Sequence, residues 1–188
     1  MAPIIDVRTH WLPARRFPEL ALSGAVIPHV LPGRTARMVN DGVSSLIYPD
    51  MFDDAKQEQV ARQAGVDLRI LTPSTQLNLF SKLLDLPVPE IARRINDDGA
   101  ALMRRFPGRT AVMAAVSPFC QETLPELQRC HREPGMTGAF IDTSWYVDGG
   151  WKNVYPDDPR TEPFWAYVAG HGIPVFLHPP CCPTGTST

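Results

Sequence analysis

Short apolar runs alternating with helical segments predict an α/β fold built from parallel βα units. Five such runs, near residues 2, 67, 111, 138 and 174, predict a partial TIM-like (β/α)8 barrel with about five of its eight units. The punctuation agrees: the chain holds 20 prolines in 188 residues, about double the ordinary share, and they fall at strand ends and in loops.

The first strand is expected over Met1–Val7, with Asp6-Val7-Arg8-Thr9-His10 at its end. Residues 11–52 show no sustained period and are broken by Pro13, Pro18, Pro28, Pro32 and Pro49, so they read as an inserted loop or small β-rich flap. Alternation from Gly42 to Tyr48 could supply a minor strand or two within it. Asp53 or Asp54 then caps a helix running through Gln63, and Gly65 ends it.

A strand follows over Val66–Leu71, closed by Thr72-Pro73. Pro89 opens a helix to about Phe106, with Ile91, Ile95, Ala101, Leu102 and Phe106 as inward positions. The turn Pro107-Gly108-Arg109 leads into the strand Thr110–Val116, and a helix is expected from about Gln121 to Arg132. Gly138–Asp142 is the fourth strand, Thr143–Pro159 a loop, Thr161–Gly170 a helix and Ile173–His178 the fifth strand. The whole reads as one barrel domain over residues 1–180, followed by an unstructured tail, 181–188. A complete barrel needs about 250 residues, so the chain is expected to be cut short at its C-terminus.

Composition excludes several classes. Lys and Arg number 18 against 20 Asp and Glu, which gives no basic surface for nucleic acid or acidic membranes. No apolar run approaches the roughly 18 residues of a membrane span, and the charged first ten residues do not resemble a signal peptide. The four cysteines form no CxxC pair and suit reduced thiols, so a cytoplasmic protein is expected; a homo-oligomer is allowed.

In βα folds the working residues stand at the C-terminal ends of strands. Those positions hold Asp6, Arg8 and His10, then Thr72 and Ser74, Ser117, Asp142 and Thr143, and finally His178. His10 and His178, from strands one and five, would point toward one axis, where neutral imidazoles make ligands for zinc or another divalent ion. Trp145, in the loop after strand four, could wall a planar substrate or simply pack the loop. His131 reads as part of a solvated helix face and His171 as a helix C-terminal cation.

The opening Asp6-Val7-Arg8-Thr9-His10-Trp11-Leu12-Pro13 resembles that of the amidohydrolase superfamily, whose first strand ends in Asp-x-His-x-His. Phe106-Pro107-Gly108-Arg109, Asp157-Asp158-Pro159-Arg160 and Ile173–Pro179 resemble more closely the amidohydrolase-related branch of aminocarboxymuconate-semialdehyde and dihydroxybenzoate decarboxylases. The resemblance implies a lyase or hydrolase with a divalent ion, usually zinc, acting on small carboxylated cyclic or aromatic-derived substrates. It puts His10 and His178 at ligand positions and Arg8 at the place of the first strand-one histidine, and assigns no catalytic residue. The family's strand-six histidine and strand-eight aspartate have no counterpart. Asp6 would then be a structural carboxylate or one that orients a neighbouring ligand by hydrogen bonding.

Arg8 cannot ligate a cation, because a guanidinium carries donors only, and its charge opposes a nearby ion. Weak or absent metal binding is therefore expected for this chain. Arg8 could instead bind a substrate carboxylate, or be a disabling substitution. Two readings follow: a metal-dependent decarboxylase-like enzyme, or a truncated non-catalytic remnant of one.

Overall fold

The computed structural model describes residues 2–13, 26–31, 35–40, 43–47, 53–73, 77–147, 150–153 and 156–178. Five parallel strands form its main sheet: β1 (Ile5–Trp11), β5 (Leu68–Pro73), β6 (Thr110–Ala115), β7 (Met136–Asp142) and β10 (Val175–His178), hydrogen-bonded in that order. Every pairing is parallel, and helices cross between the strands. This is the half-barrel of βα units that the sequence predicts.

The elements between β1 and β5 include a three-stranded antiparallel sheet of β2 (Val26–Leu31), β3 (Thr35–Asn40) and β4 (Val43–Ile47). The β-rich flap is thus larger than the minor strand or two expected. Helix α1 (Asp54–Gln63) begins where Asp53 accepts the backbone N–H of Lys56, the capping foreseen from the sequence. Two helices separate β5 from β6. The long α3 (Val88–Arg105) carries Pro89 in its first turn, but α2 (Leu77–Leu84) was not anticipated. Helix α4 (Leu124–His131) is entered through a 3-10 turn, Gln121–Thr123, and α5 (Glu162–Gly170) through another, Pro159–Thr161, capped by Asp158. The expected loop after β7 contains a hairpin of β8 (Ser144–Val147) and β9 (Gly150–Asn153). The tail 181–188 lies outside the described residues.

Two apolar layers hold helices to the sheet. Trp11, Leu71, Leu77, Phe80, Ile91, Ile95 and Val112 pack α2 and α3 against β1, β5 and β6. Val116, Leu127, Cys130, Ile141, Phe164 and Val168 pack α4 and α5 against the other half. Ala101, expected to face inward, is only half-buried; Met103, two residues on, takes the buried position. β6, at the centre of the sheet, is buried along its whole length.

The first strand departs from expectation. It begins at Ile5 and continues through His10 to Trp11, whereas Met1–Val7 was expected to be buried. Ile4, Ile5 and Val7 are exposed because β1 is an edge strand with a pairing partner on one side only.

Two polar clusters brace the frame. Buried Glu58 of α1 is bound by Arg62 at 2.7 Å, and by Arg69 and Arg109 at 2.9 Å each, joining α1 to β5 and to the turn before β6. Burial raises the Glu58 carboxyl, but the Arg109 hydrogen bond and the three positive charges outweigh that and leave it below its ordinary value. On α3, fully buried Asn96 accepts the Ala115 N–H at 2.8 Å and donates to the Ala115 carbonyl at 3.2 Å and to Glu126 at 2.9 Å. Close backbone approach also needs glycine at 138: a Cβ there would stand 2.6 Å from the Pro174 carbonyl oxygen on the neighbouring chain segment.

Candidate functional site

A bulge in β1 sets the site. Asp6 pairs with Arg69 but Thr9 with Leu71, so β1 holds one residue more than its partner. Asp6 fastens this bulge by accepting the Arg8 N–H at 3.0 Å and the Thr9 hydroxyl at 2.7 Å. Beyond it, Arg8 and His10 face the concave side of the sheet while Trp11 turns the other way, into the core, with its indole N–H on Asp98 at 3.2 Å.

The sheet curls enough for its two outer strands to face each other. The His10 and His178 rings meet edge to face with centroids 5.9 Å apart. One layer below, the Arg8 guanidinium lies 5.5 Å from the centroid of Phe176, whose ring stacks on Phe140 at 5.7 Å. Phe140 also flanks His178, at 5.3 Å. The two histidines singled out at strand ends are therefore brought together, as the parallel topology predicts.

Each imidazole is held from behind. The Gln57 amide donates to the His10 carbonyl at 3.0 Å. The His178 carbonyl accepts both the N–H and the hydroxyl of Thr143, at 3.1 and 3.0 Å. His178 Nδ1 stands 3.2 Å from the carboxylate of Asp142, its register partner on β7. Through that contact Asp142 positions the His178 ring. Burial pushes the Asp142 carboxyl above its usual range, against the opposing pull of His178. His10 is lowered by burial, by the Arg8 charge and by His178, so its ring is neutral at pH 7. Its Nδ1 is buried and has no hydrogen-bond partner among the described residues.

The remaining candidates fall elsewhere. Asp6 turns to the outer face, where with Thr9, Gln57, Val60 and Arg69 it lines a cavity of about 260 Å³ against α1. Its work in the structure is on the bulge. Trp145 sits in β8 opposite Lys152, but its side chain lies outside the described residues, as does Ser74. His131 and His171 are exposed at the ends of α4 and α5, their rings 5.5 Å apart. Asp142 was noted only as a strand-end residue and given no role. The signal that could have found it is its place at the end of the strand beside the one carrying His178.

Among the described residues no group of three His, Cys, Asp or Glu side chains is placed to hold a metal ion. Two imidazoles converge where a catalytic zinc takes three protein ligands, and a fixed cation occupies their neighbourhood. The described residues by themselves do not fit such an ion. Among the described helices none is long and apolar enough to cross a membrane.

No protein-family model matches the chain. By sequence it is 39% identical over 152 residues to gamma-resorcylate decarboxylase of Rhodococcus jostii (strain RHA1), a match covering 72% of this chain and 45% of that protein. By structure it superposes on 2,6-dihydroxybenzoate decarboxylase from Rhizobium with a TM-score of 0.66 at 23% identity, over 100% of this chain and 53% of the other. Dihydroxybenzoic acid decarboxylase from Polaromonas sp. JS666, solved with bound manganese and 2-nitroresorcinol, gives 0.66 at 21% identity, over 98% and 51%. The chain thus spans about half the length of the proteins it matches.

Proposed function

From a chain whose homologues are gamma-resorcylate decarboxylases and whose structural neighbours are decarboxylases and amidohydrolases of the amidohydrolase family, we propose a part in decarboxylating small aromatic carboxylates. The observation that carries this reading is the meeting of His10 and His178 at the C-terminal ends of β1 and β10, where βα folds keep their chemistry. Manganese in the Polaromonas neighbour supports a divalent ion, manganese or zinc, toward which His10 and His178 are this chain's contribution. Such an ion would polarise a bound carboxylate or phenolate. The described residues do not complete its ligand set.

What the chain's own residues do is orient and enclose. Asp142 holds the His178 ring by its Nδ1, Thr143 anchors its backbone, and the Phe176 ring, backed by buried Phe140, offers a flat apolar wall to a planar substrate. A cytoplasmic setting accords with the unpaired thiols of Cys120 and Cys130.

The test is carbon dioxide release from 2,6-dihydroxybenzoate by the purified 188-residue chain supplied with Mn2+. Release that falls by at least about a hundred-fold in His10→Ala and His178→Ala supports the reading. No release from the metal-supplied chain sinks it. A second reading, a non-catalytic relative that keeps the fold without the centre, is favoured by Arg8 in the place of a ligand. It expects well under one metal per chain after purification, and stoichiometric metal lost in His178→Ala would defeat it.

A further inference from the structure

Arg8 is the residue in this cluster that a metal centre does not explain. Its guanidinium carries five N–H donors in a plane and no acceptor. Its Cζ lies 5.5 Å from the centroid of the Phe176 ring, and a guanidinium edge binds carboxylates in pairs of parallel hydrogen bonds. Among the described residues no carboxylate pairs with it: the nearest in sequence, Asp6, accepts the Arg8 backbone N–H and the Thr9 hydroxyl, and Asp142 is engaged by His178.

Two further observations converge on the same spot. His10 follows on the same concave face, and its Nδ1 is a buried polar atom with no partner among the described residues, an arrangement that costs stability unless something binds there. The Phe176 ring, backed by buried Phe140 within 10° of parallel, gives a flat apolar surface beside the guanidinium. A fixed cation, an unmet imidazole nitrogen and a flat wall are complementary to an anion on a planar body, and repel a divalent cation.

We propose that Arg8 makes this site a metal-independent receptor for the carboxylate of a small aromatic acid, with His10 supplying a further hydrogen bond and Phe176, backed by Phe140, the wall. The inference rests on the aromatic-carboxylate reading above for its ligand class. It differs in placing the carboxylate on the protein's own guanidinium rather than on an ion.

Calorimetric titration of the 188-residue chain with 2,6-dihydroxybenzoate, first in EDTA and then with Mn2+, tests it. Binding is expected in EDTA, to weaken about ten-fold or more in Arg8→Gln and less in Arg8→Lys, which keeps the charge but not the paired donors. Resorcinol, which lacks the carboxylate, should bind the wild type at least about ten-fold more weakly and be indifferent to Arg8→Gln. Arg8 is exposed, so its variants should fold; far-UV circular dichroism checks this. Binding that requires Mn2+, or that survives Arg8→Gln unchanged, overturns the receptor while leaving the decarboxylase reading to its own carbon dioxide assay. Absence of binding in both conditions overturns it as well. Arg8→His offers a converse check: it should gain Mn2+ affinity and lose the EDTA-resistant binding.

Discussion

Truncating Asn96 to alanine should be among the costliest single changes in the molecule. The side chain is fully buried on α3 and makes three hydrogen bonds, two of them to the backbone of Ala115 at the end of β6. Alanine improves helix propensity by about half a kcal/mol, but it strands the Ala115 N–H and carbonyl, while the Glu126 oxygen keeps Arg129 at 2.7 Å. At about 1–3 kcal/mol for each of the two stranded groups, with some relief by relaxation, the net loss is about 2–4 kcal/mol. For a chain of this size that lowers the melting temperature by roughly 10 °C. Urea unfolding followed by far-UV circular dichroism, with thermal melts alongside, measures it. A loss below about 1 kcal/mol at unchanged m-value would refute the accounting, because it would mean that water or a shifted helix satisfies Ala115 equally well. Asn96→Asp sharpens the test. It keeps the acceptor for the Ala115 N–H but sets a second carboxylate against Glu126, where the amide now donates at 2.9 Å. Its penalty should shrink as pH falls and the two carboxyls come to share a proton.

Three further outcomes are expected. Burial raises the Glu126 carboxyl, but hydrogen bonds from Arg129 and Asn96 and the Arg129 charge hold it below its ordinary value. Its stabilisation is therefore present above the unfolded-state pKa and lost as pH falls through the lower folded one; Glu126→Gln should flatten the acid limb of a stability–pH curve. Glu58→Gln takes from Arg69, itself 2% exposed, its hydrogen-bonded counter-charge and should cost about 3 kcal/mol in urea, more than Arg62→Ala at the exposed end of the same cluster. Native-state alkylation at pH 8, mapped by mass spectrometry, should leave Cys120 and Cys130 unmodified: burial and Glu122 push the first up to about 11, and burial raises the second, which has no exposed surface. Rapid labelling of Cys130 would show the seam between α4 and β7 opening.

The parts of the fold legible in the sequence are those written locally. Pro and Gly mark strand ends, and apolar runs set against helical periods give the parallel order, because each signal lies within a few residues. The signal for α2 was also present, in Leu77, Phe80 and Leu84 spaced along one helical face, but went unused between prolines. The β1 bulge was not legible, since it depends on the register of β1 against β5 across the insertion. Of the two readings open for Asp6, a ligand's neighbour or a structural carboxylate, its hydrogen bonds within the bulge are those of the second. Nor does any spacing in the chain disclose that Asn96, polar in an amphipathic helix, is fully buried. His10 and His178 were legible as a pair because strand-end positions in a βα fold share one rim. That Asp142 stands behind His178 required the β7–β10 register.

The sheet order has a consequence for how the site comes into being. His10 and His178 lie on the first and last of five strands, and three others must be paired in sequence before the rings can face each other. Roughly 170 residues of chain separate them, and closing a loop of that length costs on the order of 4–5 kcal/mol of chain entropy that the ring contact alone cannot supply. The histidine contact therefore forms late in folding, after the central strands have assembled, in a topology of high contact order that folds slowly. It is a reporter of complete assembly: a population that has β5, β6 and β7 in place but has not yet added both outer strands has a core and no site.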